Sequence, residues 1–128
     1  MPEQLQYSFS AQVSGGPSMA EAKTLDVESY DKTKVTVPDG STDLEVNIQP
    51  DGAGLTQFLA VKASAYDANL SYKVNSAAGT AIVLDAPHLF TGAGAVALLD
   101  PAPTKLFFSN STGADVTIDV LVGRDATP

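Results

Sequence analysis

Apolar and polar residues alternate with a period of two along most of this chain. The pattern is clearest in the last third, where Val116, Ile118, Val120 and Val122 are separated by Thr117, Asp119 and Leu121. That period belongs to a strand with one buried face and one wet face. Leu106-Phe107-Phe108-Ser109 precedes it across the turn-rich segment Asn110 to Asp115, so Lys105 to Arg124 reads as two strands around one turn. The same alternation recurs at Tyr7, Phe9, Ala11 and Val13, at Leu25 and Val27, at Val35 and Val37, at Leu44, Val46 and Ile48, and at Leu70, Tyr72 and Val74. Leu55 to Ser64 is more continuously apolar, as expected of a central strand, and Thr80 to Asp85 reads as another strand.

Turn chemistry separates these runs. Ser14 to Ser18, Tyr30 to Lys32, Pro38-Asp39-Gly40-Ser41, Pro50 to Gly54, Tyr66 to Asn69 and Asn75 to Gly79 read as turns or loops. Pro87 to Gly94 reads as irregular, and Ala95 to Leu99 as a short strand or packed loop. A helix over Met19 to Lys23, capped by Ser18, competes with the strand reading of that segment. Eight to ten short strands with frequent turns predict an all-β fold: an antiparallel β-sandwich, jelly-roll-like, forming a single domain over residues 1–128. The polar ends, 1–4 and 125–128, are expected to be short flexible termini.

Composition narrows the function classes. With 128 residues the chain is long enough for a real core, and without cysteine it has neither disulfides nor Cys-based metal sites. Seven scattered basic residues against fifteen acids leave a net charge of −8. Nucleic-acid binding needs a basic footprint that releases counterions, so that class is excluded, and the same charge argues against an anionic membrane surface. The N-terminus lacks a basic segment followed by an apolar run, and no stretch is long enough to span a bilayer, so synthesis and assembly in a cytoplasm are expected.

The chemical inventory is thin. His88 is the single histidine, and no nucleophile in a recognisable setting accompanies it, so a structural or interface role is expected and enzymatic activity is not. Asp39, Asp43 and Asp51 lie in or beside adjacent turns, an arrangement by which oxygen-rich loops can hold a cation. Their spacing fits no EF-hand loop, and Asp-Gly is itself a tight-turn signature, so no metal is expected. Tyr66 beside Asp67 and Asn69 is the best candidate for a sugar platform, against a tyrosine packing its own turn. Gly92-Ala93-Gly94-Ala95 lacks the third glycine and the Gly-Lys-Ser/Thr of phosphate loops, so no cofactor is implied.

Interface candidates come from breaks in the alternation. Phe107 and Phe108 are adjacent, so a strand sends them to opposite faces and one lies outside the main core. Leu121 stands where a polar residue is due. Gly92 and Gly94 begin a small-residue segment ending at Leu99 that suits close packing.

Three segments carry a family resemblance: Phe58 to Val61 with Leu70 to Asn75, Ala81 to His88, and Leu106 to Ser111 with Gly113 to Gly123. In their short apolar strands, Ser/Asn/Gly turns and small-residue connections they resemble small β-sandwich structural proteins of tailed bacteriophage virions, over roughly Leu55 to Arg124. The resemblance implies a capsid decoration (cement) protein that binds the major capsid protein or other virion proteins across subunit joints. It implies a homo-oligomer, with a trimer favoured, located in the virion and carrying no catalytic residues. A tail-associated virion protein and a carbohydrate-binding β-sandwich module are the alternatives.

Overall fold

Because β-branched residues at every second position fit a pleated, half-buried surface, Val116 to Val122 forms most of a strand that is paired on both sides. The computed structural model describes residues 3–49, 55–100 and 103–125. These hold ten strands: β1 (Glu3–Gln12), β2 (Ser18–Val27), β3 (Ser29–Val37), β4 (Leu44–Asn47), β5 (Leu55–Ala63), β6 (Leu70–Val74), β7 (Ile82–Val83), β8 (His88–Thr91), β9 (Lys105–Asn110) and β10 (Val116–Asp125). A single helical turn, α1 (Ala93–Val96), stands between β8 and β9. No helix among the described residues is long and apolar enough to cross a membrane.

Two antiparallel sheets, ordered β3-β10-β5-β8 and β4-β9-β6-β7, form a β-sandwich, as the turn spacing predicts. The first sheet contributes Val37, Leu59, Val61, Ile118, Val120 and Val122 to the core, and the second contributes Val46, Leu70, Tyr72, Leu106 and Phe108. All of these are buried. Leu55 to Ser64 is confirmed as central, since β5 lies between β10 and β8.

Several local expectations need correction. β9 and β10 do not pair with each other; they belong to opposite sheets, and the exposed turn between them passes from one sheet to the other. Asn110 sustains this crossing, its Nδ2 donating to the carbonyls of Val37 (3.0 Å) and Ala114 (2.8 Å). Tyr30 to Lys32 is strand, not turn, because Asp31 is drawn inside to face Arg124. His88 to Thr91 pairs with β5, so Pro87 to Gly94 is not irregular throughout, and Ala95 and Val96 lie in α1, not in a strand. Met19 to Lys23 is strand without a helix, held by its ladder to β1. Glu3, Gln4 and Asp125 lie in strands, whereas the Pro50 to Gly54 turn falls outside the described residues.

The buried Arg124–Asp31 ion pair sits where β2 gives way to β3, and the Glu28 N–H donates to the Arg124 carbonyl at 3.0 Å. Removing one partner of a buried pair strands the other charge, whereas an exposed pair is screened by water. Asp31→Ala is therefore expected to lower stability by roughly 3–5 kcal/mol in denaturant titration. Removing the exposed partner of the Lys32–Asp119 pair (3.1 Å), by Lys32→Ala, should cost less than about 1 kcal/mol.

Candidate functional site

Residues 3–27 do not join the sandwich sheets. β1 and β2 pair only with each other, in one uninterrupted register from Glu3↔Val27 to Gln12↔Ser18. The reversal is a five-residue loop, Val13 to Pro17. There the Val13 N–H donates to the Pro17 carbonyl, the Gly16 N–H donates to the Val13 carbonyl, and Gly15 takes a φ of 70° that favours glycine.

The strand period gives this hairpin one apolar and one polar face. Leu5, Tyr7, Phe9 and Ala11 share a face with Met19, Leu25 and Val27, interrupted by Glu21 and Lys23. Gln4, Gln6, Ser8 and Ser10 occupy the other, opposite Asp26, Thr24, Ala22 and Ala20.

The root of the apolar face is seated on the outside of the β3-β10-β5-β8 sheet. Leu5, Val27 and Phe58 are buried together, with Tyr7, Leu25, Ala60 and Leu121 packed around them. The Tyr7 and Phe58 rings lie 5.6 Å apart. Gly123 makes the seat possible, since a Cβ there would stand 3.0 Å from Leu5 Cδ1 and 3.2 Å from Val27 Cγ1. Beyond the seat, every residue from Ser8 to Thr24 is exposed. Phe9 (38%), Val13 (62%) and Met19 (67%) keep large apolar side chains in water. Exposed apolar residues clustered on one projecting element mark an interaction surface. Two surface concavities, of about 520 and 370 Å³, border the hairpin where it leaves the body.

The interface candidates read from the sequence separate. Phe108 is fully buried in the sandwich core, so its proposed intermolecular role is corrected. Phe107 faces outward, half-buried between Glu45 and Lys73 on the neighbouring strands. Leu121 does break the alternation to cover an apolar surface, but what covers it is the chain's own hairpin. Gly92 precedes α1 and donates its N–H to the Gln57 carbonyl at 2.7 Å, while Gly94 borders open space. These residues form no common patch with the hairpin tip.

Other candidates are absorbed by structure. The Tyr66 hydroxyl accepts the Ala63 N–H at 3.1 Å, and Asp67 accepts the Asn69 N–H at 2.8 Å, so both brace their own turn. Asp39 accepts the Gly113 N–H at 2.9 Å, and Asp43 pairs with Lys73 at 3.1 Å; Asp51 lies outside the described residues. No cluster of three or more potential metal ligands occurs among the described residues.

His88 points between the sheets, its Nδ1 2.7 Å from the hydroxyl of fully buried Tyr72. Desolvation lowers the His88 pKa, partly opposed by Asp85, and burial pushes the Tyr72 hydroxyl well above its ordinary value. The hairpin itself was missed as a projecting unit. Its signal was that Phe9, Val13 and Met19 sit among Ser, Gln and Gly, with few neighbours apolar enough to bury them.

Two outcomes test this arrangement. Gly123→Val should unseat the hairpin while leaving the sandwich folded, seen as faster limited proteolysis confined to residues before Ser29, with an unchanged main unfolding transition. For His88, the unfolded side chain titrates near 6.5 and the folded one lower, so the folded state binds the proton less readily. Stability is therefore expected to fall as the pH drops through 6.5 towards the lowered folded value, and His88→Asn should flatten that slope in thermal melts at pH 5 to 7.5. No protein-family model and no curated protein matches this sequence.

Proposed function

We propose that this chain is a structural protein of a tailed-bacteriophage virion, most simply a capsid decoration protein that stabilises the head by binding across capsid subunits. The observation that carries the reading is the hairpin: a rigid sandwich presents a two-stranded arm whose distal half, Ser8 to Thr24, is exposed on both faces. A two-stranded hairpin is marginal in water, and its outer edges offer unpaired backbone groups to another chain. An arm of that kind gains its stability by binding a neighbour.

The strand order supports a jelly-roll reading of the sandwich. Strands alternate between the sheets from β3 to β6, and again from β8 to β10, so that β3 neighbours β10 and β4 neighbours β9. This two-sheet, eight-strand winding suits capsid-associated proteins, which it resembles at the level of fold alone. Major capsid protein or another virion protein is the proposed partner, with assembly in the host cytoplasm. A tail location is the second form of the same reading.

The experiment is quantitative mass spectrometry of particles of the phage that encodes the chain, before and after heads are separated from tails. The protein is expected in purified particles at many copies, fractionating with heads. A chain absent from purified particles would overturn the reading. A variant carrying Phe9→Ser and Met19→Ser is expected to fold normally and to be incorporated at a fraction of the wild-type level.

A further inference from the structure

The apolar face of the hairpin does not stop where its seat stops. Leu5, Tyr7, Leu25 and Val27 are covered by the chain's own sheet, while Phe9 and Met19 carry the same face into solvent. The uncovered part is thus continuous with an interface the chain already makes.

Its charge is also unlike the rest of the molecule. Residues 8–24 carry one acid, Glu21, and one base, Lys23, in a chain whose net charge is −8. Two copies brought together over most of their surfaces would repel; brought together through this segment they would not. Glu21 and Lys23 are two residues apart on β2 and share the apolar face. Their charges cancel, so this face meets a copy of itself without net repulsion.

We propose that the free half of the hairpin is covered by the same segment of a second copy, the two arms packing apolar face to apolar face about a twofold axis. Phe9, Ala11 and Met19 form the centre of the contact, and Glu21 and Lys23, at its root side, add no net charge to it. The contact is isologous, so it closes at two copies and does not propagate into filaments. It gives each two-stranded arm the second layer it lacks. The inference deepens the assembly reading, on which it rests for the arm's being a binding element, and it names the partner of that arm.

The absence of native cysteine makes the test direct. Ala11→Cys places a thiol at the proposed centre, and Ala20→Cys places one on the opposite face of the same hairpin. Each full-length variant is exposed to mild oxidant at low concentration, and the wild-type mass is measured by light scattering over a concentration series. The expected result is a wild-type mass twice that of one chain. The Phe9→Ser, Met19→Ser variant should have the mass of one chain, and disulfide-linked dimer should form with Ala11→Cys but not with Ala20→Cys.

A single-chain mass at every concentration, a trimeric mass, or equal crosslinking from both faces would overturn the pairing. Pairing in solution by a chain absent from virions would leave this inference standing and remove the virion reading. A single-chain protein whose arm is needed for incorporation into heads would do the reverse.

Discussion

Strand β10 is apolar on both sides at one end, and most of the structure depends on that. Its inward residues Val116, Ile118, Val120 and Val122 fill the sandwich core. On its outward side Thr117 and Asp119 give way to Leu121 and Gly123, which receive the root of the hairpin. The same strand also pairs β3 and β5 along nearly its whole length. It therefore joins two packing layers, and the buried Arg124–Asp31 pair fixes it to the strand that follows the arm.

The two layers differ in how well they are built. The sandwich core encloses fully buried side chains from both sheets, whereas the hairpin rests on a few residues at one end. Burying a large apolar side chain contributes roughly 1.5–3 kcal/mol. Leu5, Val27 and Phe58 thus anchor the root firmly, while Phe9 and Met19 contribute nothing of that kind until something covers them. The order of stabilities follows: the body folds by its own core, and the arm completes itself in a contact. The neighbouring part of the outer face is different again, with Lys34 and Lys62 flanking Asp119, which pairs with Lys32.

Alternation made the strands legible, because each buried valine, leucine or isoleucine must face one way. It told less about which sheet a strand joins. β9 and β10 carry turn residues between them that would serve a hairpin equally well, and the crossing shows only in the strands each one pairs with and in the long-range bond from Asn110 to Val37. The adjacent Phe107 and Phe108 were correctly sent to opposite faces, but pattern does not say which is core; pairing with Leu44 and Tyr72 turns Phe108 inward. Leu121 was legible as an exception to its strand. Its partner was not, since Leu5 and Val27 are distant in sequence and Gly123, which admits them, carries no side chain to signal a contact. Likewise Tyr7 and Phe9 follow one pattern on one strand, yet the first is seated and the second is free.

The central claim is that one segment of a rigid domain is left uncovered by the fold and covered by association. Backbone hydrogen–deuterium exchange, followed as protein concentration is raised, tests it most directly. The account predicts fast exchange for residues 8–24 in dilute solution, slowing with concentration, while β5, β9 and β10 stay protected throughout. Exchange in residues 8–24 that is already slow when dilute, or that ignores concentration, would contradict it.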